Sequence, residues 1–316
     1  MKIVLITPSG PTARTGNRIA ASRWAGILRR LGHEVRIAAD YDGTPADLMV
    51  AVHAWRSADA IAAFKSRHPD RPVVLQLSGT DIYHYITSDP GPTLRSMELA
   101  DRLVALNDLA WRQVPKRLLG RLLVIHQSAK PPAERWCPSA RGVVISVIGH
   151  LRDVKDPLRA AEAARLLPAA SKVRIEQVGR AYTAQWAEKA RAEMKSNSRY
   201  RWRDDVARAE VRRLLTRSHA MVISSLSEGG ANVISEAAVV GVPILASRMD
   251  GNVGLLGSTY PGYFPVGGTR SLAKLMQRIE CDPRFARGLA QAVRARASLF
   301  APRREIAAWR RLLREL

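Results

Sequence analysis

Short apolar runs rich in Val, Ile and Leu alternate with stretches of helical periodicity from one end of the chain to the other. The run 2–7 predicts a strand, and 34–39, 48–52, 72–77, 102–106 and 121–125 predict further ones. A Gly/Pro/Thr loop over 8–17 leads from the first strand into a helix from about Arg18 to Leu31. Its Ala20, Trp24, Ile27, Leu28 and Leu31 share one face. Gly32 follows where a helix cap is expected. The stretch 129–141 has neither period and carries three prolines, which predicts an interdomain linker. A second series then begins, with strands at 142–148, 172–178, 220–224 and 242–246. Helices are predicted near 156–167, 183–195, 232–240, 269–280, 284–298 and 302–315. Such alternation predicts βα units and parallel sheets. The fold class expected is α/β: two doubly wound domains, 1–135 and 136–316, facing a cleft, with room for the last helix to pack back on the N-terminal domain. Ligands in such sheets sit at the C-terminal ends of the strands.

The composition narrows this picture. Apolar residues make up 47% of the 316, enough for proper cores, and no apolar run approaches the ~18–20 residues that span a bilayer. Met1–Pro8 turns polar too soon for a signal peptide and reads as the first strand. Two cysteines, Cys137 and Cys281, form no CxxC, which argues against a disulfide framework or a zinc site and fits a reducing, cytoplasmic setting. The net charge of +22 raises the question of nucleic acid. The charge is spread through both halves, however, with no basic tail, zinc-finger spacing or aromatic RNA-recognition signature. Much of it is arginine on helix faces, such as Arg310, Arg311 and Arg314. A solvated arginine-rich surface is the expectation, with attraction of anionic substrates the second reading and nucleic acid or membrane the third. Asp40-Tyr41-Asp42 imitates a metal-binding DxD but follows an N-domain strand and reads as loop, so no obligatory metal or other cofactor is expected.

The most informative stretch runs Ser224-Ser225-Leu226-Ser227-Glu228-Gly229-Gly230-Ala231-Asn232-Val233-Ile234-Ser235-Glu236. It leaves a strand, turns on two glycines and enters a helix. Gly229 and Gly230 permit close backbone approach to a ligand. The amides of Ala231, Asn232 and Val233 stand unpaired at a helix start, where the dipole favours an anion such as a diphosphate. Glu236, one turn in, can accept from ribose hydroxyls. With Gly241-Val242-Pro243 after it, this stretch resembles the E-x7-E segment of glycosyltransferase family 4, whose members have the GT-B fold of two Rossmann-like domains. The resemblance implies that Glu236 binds the ribose of a UDP-sugar donor and that Glu228 lies near the transferred sugar. It also implies that Lys155, in Gly149-His150-Leu151-Arg152-Asp153-Val154-Lys155, neutralises the donor phosphates. His150 stands where the family has arginine, so the second cation is either His150 or Arg152. The UDP leaving group gains charge as the glycosidic bond breaks, which is why cations and helix amides are needed there. By the same resemblance, uracil meets the loop after about Trp202, a residue that reads equally as core.

Acceptors of GT-B enzymes bind the N-terminal domain. Gly16, Asn17 and Arg18 at a helix start form an anion seat, with Arg18 adding a planar fork of donors. Leu77-Ser78-Gly79-Thr80-Asp81 stands where the family has a His-Gly-x-Asp element, with Ser78 in the histidine's place. His53 and His126 lie at other strand ends, and Asp81 is a candidate base for an alcohol acceptor. The segments Thr15-Gly16-Asn17-Arg18, Gly79-Thr80-Asp81-Ile82-Tyr83, Glu228-Gly229-Gly230-Ala231-Asn232, Gly251-Asn252-Val253-Gly254-Leu255-Leu256-Gly257 and Tyr260-Pro261-Gly262-Tyr263-Phe264 together resemble the selenosugar synthases of selenoneine biosynthesis. That implies transfer from UDP-glucose or UDP-N-acetylglucosamine to selenophosphate, with a carbon–selenium bond formed and UDP and phosphate released. Selenium in selenophosphate is already nucleophilic, so cationic and amide ligands matter more than a base. The expected catalytic set is Arg18, Asp81, Glu228 and Lys155; Gly16, Asn17, Arg18, His53, Gly79 and Thr80 bind the acceptor. The alternatives are an ordinary family-4 transferase acting on a hydroxyl, a UDP-sugar epimerase, and a basic nucleic-acid or membrane-surface protein.

Overall fold

The structure, a computed structural model, describes residues 1–10, 12, 15–132 and 134–316. Pro11, Ala13 and Arg14 of the expected 8–17 loop, and Ala133 of the expected linker, lie outside the described residues. The chain divides into two compact units. One comprises Met1–Ser128, Glu228–Asn232 and Pro302–Leu316; the other comprises Ala129–Ser227 and Val233–Ala301.

The first unit begins with β1 Lys2–Ile6, α1 Gly16–Arg30, β2 Glu34–Ala38, β3 Leu48–Val52, α2 Ala58–Arg67 and β4 Val73–Gln76. A π-helical turn, Asp81–Tyr85, then leads into α3 Ile86–Ser88, α4 Pro90–Leu99, β5 Arg102–Ala105 and β6 Leu122–Val124. Its six strands lie in the order β2-β1-β3-β4-β5-β6, all parallel. The second unit contains β7 Val143–Ile148, α5 Arg159–Arg165, β8 Val173–Val178, α6 Ala184–Ser196, β9 Tyr200–Trp202, α7 Arg208–Arg217 and β10 Ala220–Ile223. It continues through α8 Asn232–Val240, β11 Ile244–Ser247, α9 Asp250–Leu256, β12 Tyr263–Phe264, α10 Thr269–Cys281 and α11 Pro283–Arg296. These strands are also parallel, in the order β12-β11-β10-β7-β8-β9. The last helix, α12 Pro302–Arg314, belongs to the first unit.

A parallel sheet covered on both faces needs strands apolar on both sides, which is why the strand runs are continuous rather than alternating. In β1, Ile3 and Leu5 join the core beneath α1 and α12, while Val4 and Ile6 join the core with Phe64 and Met97 of α2 and α4. Trp24 of α1 and Trp309 of α12 are fully buried and meet edge to face, ring centroids 4.7 Å apart. Helix α1 starts on Thr15, whose hydroxyl accepts from the Arg18 amide. It ends as expected at Gly32, whose φ of 90° allows the paired bonds of His33 N–H to Leu28 and of Gly32 N–H to Arg29.

Helices α2, α4, α7 and α9 and strands β9 and β12 were not predicted by the pattern. The two strands span three and two residues, too few to show a period, and exist as edge partners of β8 and β11. In α7 only Leu214, Leu215 and Thr216 are buried, so the arginines that surround them mask the stripe.

Candidate functional site

In the first unit the chain passes from β1 outward to β2 and returns to β3 on the other side of β1. The loops leaving β1 and β3 diverge at that point, and ligands of doubly wound sheets bind there. Helix α1 opens at this edge with no acid in its first turn. Gly16 is exposed, and Asn17 and Arg18 are half-buried. Among the described residues, no carboxylate stands within ion-pair distance of Arg18. Ser78, leaving β4, donates from Oγ to Oδ1 of Asn17 at 3.2 Å, so two of the expected acceptor-side segments do meet.

Beside them His53, Thr80 and Asp81 form a buried chain of contacts. His53 leaves β3 with φ of 79°, a left-handed conformation uncommon outside glycine and asparagine. Its Nδ1 lies 2.6 Å from Asp81 Oδ1, and its Nε2 lies 3.0 Å from Thr80 Oγ1. The Arg56 amide also reaches Nδ1, at 3.3 Å; a carboxylate 2.6 Å away favours the tautomer with the proton on Nδ1 over the one that accepts from this amide. The Asp81 side chain is fully buried. Oδ2 accepts from the Ala54 and Ser78 amides at 2.8 Å each, and Oδ1 accepts from the Trp55 amide at 3.1 Å. A carboxylate saturated in this way ties the loops after β3 and β4 together and has no face for an acceptor. The base that the sequence suggested at Asp81 thus has its lone pairs already engaged by the protein. Trp55 stacks on Tyr85, ring centroids 4.4 Å apart, at the open side of this cluster. Neither aromatic was singled out from the sequence, because each follows its strand by a different loop.

Gly229 and Gly230 pack within the same unit. A Cβ on Gly79 would stand 2.4 Å from the Gly229 nitrogen, and one on Gly230 would stand 2.3 Å from Cβ of Leu106. Close approach is thus required, as expected of these glycines, but here it is to protein. Asn107 Nδ2 donates to the Gly229 carbonyl at 2.7 Å and Gln127 Nε2 to that of Gly230 at 3.0 Å, so two buried amides pin the turn. Glu228 precedes it and is largely buried. Asn232 accepts from Arg23 Nη1 at 3.0 Å.

In the second unit the direction of strand addition reverses between β7 and β10. The loop after β7 carries Lys155 and the loop after β10 carries Ser224. Ser224 Oγ reaches the carbonyls of Lys155 and Asp156 at 3.1 and 2.9 Å, and the Leu226 amide donates to the Val154 carbonyl at 2.9 Å. The two expected donor loops are stitched side by side at the switch point. Asp156, at φ of 45°, receives a two-pronged contact from Arg159, and that hydrogen bond raises the guanidinium pKa. His150 Nδ1 meets the Arg180 amide at 3.2 Å, which turns Nε2 to the other side of the ring as a nitrogen that can donate. Arg152 lies over the Tyr182 ring at 5.5 Å. In α8, which begins at Asn232 just after Ala231, Glu236 is 3.7 Å from Arg208 of α7. Sequence reasoning did not single out Arg208; it sits among many arginines, and only the packing of α7 brings it to Glu236. Trp202 is buried and its indole donates to the Gly179 carbonyl at 2.8 Å, so it belongs to the core.

Among the described residues, no group of three or more His, Cys, Asp or Glu is arranged to hold a metal, and no helix is long and apolar enough to cross a membrane. Residues 139–296 match the family model described as Glycosyl transferases group 1. No curated protein sequence matches the chain. Among solved structures, Anabaena HepE in complex with UDP aligns over 100% of both chains with a TM-score of 0.80 and 17% identity. Sucrose-phosphate synthase from Thermosynechococcus elongatus covers 99% of this chain and 98% of its own, with a TM-score of 0.79 and 16% identity. A glycosyltransferase from Rickettsia africae covers the same shares with a TM-score of 0.73 and 12% identity. At these identities the likeness is one of fold.

Proposed function

The chain belongs to the glycosyl transferases of group 1, built on the GT-B-like plan of two parallel-sheet units, and from this premise we propose that it transfers a hexose from a UDP-sugar to selenophosphate. The observation that carries the donor half is the stitched pair of loops at the β7–β10 switch point, with Lys155 on one and the start of α8 following the other. The diphosphate is taken by the amides of Ala231, Asn232 and Val233 and by Lys155, with His150 or Arg152 as second cation. Glu236 takes the ribose and Glu228 lies toward the sugar. The fold neighbour HepE holds UDP, which supports the same nucleotide here.

The acceptor half rests on the resemblance described above and on the seat at the start of α1. Gly16, Asn17 and Arg18 would hold the phosphate of selenophosphate, with Gly79 and Thr80 beside Ser78. The selenium attacks the anomeric carbon, UDP leaves, and phosphate is lost in a later step. Mass spectrometry of the reaction with UDP-glucose and UDP-N-acetylglucosamine, with and without selenophosphate, tests the reading. A selenium-containing sugar is expected. A product only when an alcohol is supplied would replace the reading with an ordinary hydroxyl-directed transferase.

The donor assignment makes a separate prediction. A hydrogen bond to a charged group contributes about 1.5–3 kcal/mol. Lys155→Ala and Glu236→Ala are each expected to weaken UDP by about tenfold or more. Arg208→Ala, which frees Glu236 from its exposed ion pair, is expected to change UDP affinity far less. Calorimetric titration of UDP decides it; unchanged affinity in both folded variants removes the two residues from the donor site.

A further inference from the structure

Asp81, His53 and Thr80 stand in one line of contacts. Carboxylate to Nδ1 is 2.6 Å and Nε2 to hydroxyl is 3.0 Å. Asp81 and His53 are buried, and Thr80 is partly exposed. This is the arrangement that activates a hydroxyl: a base within hydrogen-bond reach of the nucleophile, itself oriented by a third group. Asp81, 2.6 Å from Nδ1, favours the tautomer protonated there, and in that tautomer Nε2 is the acceptor facing Thr80. The left-handed backbone at His53 is held by its amide, which donates to the Gln76 carbonyl at 3.1 Å, and by its carbonyl, which accepts from the Ser57 amide. Strain of this kind persists where surrounding structure enforces it, and it concentrates at working sites.

Two further features mark the same edge of the sheet. Ser78, two residues before Thr80, touches Asn17 at the start of α1, so the hydroxyl adjoins a helix N-terminus that favours anions. Gln76 is buried and its Oε1 has no hydrogen-bond partner among the described residues, although its Nε2 lies 3.4 Å from Ser78 Oγ. The Thr7 hydroxyl, buried at the end of β1, likewise has none among them. Polar groups left over beneath an anion seat fit a ligand that brings its own donors and acceptors.

We propose that Thr80 is a nucleophilic hydroxyl activated by His53 and Asp81, and that it accepts a phosphoryl group. The natural donor of that group rests on the reading above: it is the glycosyl selenophosphate formed when selenium attacks the sugar. Thr80 Oγ1 attacks phosphorus, an Oγ–P bond forms and the P–Se bond breaks. The selenium leaves with the bonding pair. The hydroxyl proton passes to His53 Nε2 and on to the selenolate, giving a selenol and phosphothreonine. Water then attacks the same phosphorus, His53 takes its proton and returns it to Oγ1, and inorganic phosphate departs. No electron is gained or lost overall.

A fluorophosphonate probe tests the hydroxyl without selenium, because its phosphorus takes the same attack and fluoride leaves. Peptide mass spectrometry is expected to find the adduct on Thr80. Thr80→Ser should still label and Thr80→Val should not. His53→Asn, which keeps a residue tolerant of the left-handed backbone, should label about a hundredfold more slowly, the usual contribution of a positioned base. Absence of an adduct on Thr80, or equal labelling of His53→Asn, overturns the proposal. With UDP-glucose and selenophosphate, Thr80→Val is expected to accumulate the phosphorylated selenosugar in place of the selenol. Free selenol formed by Thr80→Val at the rate of the unaltered protein also overturns it. A labelled Thr80 in a protein that makes no selenium product sinks the selenophosphate reading and leaves the activated hydroxyl standing.

Discussion

Asp81→Ala is expected to destabilise the first unit by about 3–5 kcal/mol, the usual cost of removing one member of a buried charged cluster. The side chain is fully buried and accepts from the amides of Ala54, Trp55 and Ser78 and from the His53 ring. Alanine satisfies none of them, and each buried donor left without a partner costs about 1–3 kcal/mol. A domain's whole stability is about 5–15 kcal/mol, so the loss is a large share. Asp81→Asn retains one acceptor oxygen but turns an NH2 toward backbone N–H groups, so an intermediate loss is expected. Asp59, whose side chain is fully exposed, provides the control: Asp59→Ala should shift stability by no more than about 0.5 kcal/mol. Urea unfolding curves of the three variants give the comparison. If Asp81→Ala and Asp59→Ala lose equal stability, the carboxylate does not hold the two loops together.

Glu305→Ala is the second large effect. Glu305 lies on the inner face of α12 with no exposed side-chain surface. It accepts from Arg23 Nε at 3.1 Å, from the Trp24 indole at 2.8 Å and from the Ser128 amide at 2.9 Å, and it also meets the Ser128 hydroxyl. Removing it leaves the Arg23 guanidinium, itself only 19% exposed, without its carboxylate. A loss of about 3–5 kcal/mol is expected. The cause is an uncompensated charge more than a missing attraction, so the double variant Arg23→Met with Glu305→Ala should recover part of the loss. Additive losses in the double variant, read from denaturant midpoints at unchanged slope, would show that the two side chains are not coupled.

The sequence made the α/β class legible because it rests on local information. Strand runs such as Ile3–Ile6 are short, continuous and apolar, and the stripe of Ala20, Trp24, Ile27 and Leu28 repeats at the helical period. The cap at Gly32 and the helix start after Gly229-Gly230 are local in the same sense. The amphipathic α12 was visible too, and Glu305 could be read onto its apolar face with Trp309 and Leu312. The family resemblance was carried by contiguous segments, for the same reason.

What the tertiary structure alone decided concerns partners distant in sequence. Arg23 and Glu305 are 282 residues apart, Asn107 and Gly229 are 122 apart, and Ala54 and Asp81 are 27 apart. No periodicity spans such separations, so a carboxylate that saturates backbone amides looks in the sequence like one free to take a proton. Asp81 was read that way, while His53 and Thr80 were read as separate contacts to an acceptor. The double glycine was read as room for a ligand, since a missing Cβ does not say which backbone will approach it; Gly79 does. The residue types thus fixed which chemistry is possible at each position. Which groups stand within 3 Å of one another followed from strand order, because only the pairing of β3 with β4 sets the loops of His53 and Asp81 side by side.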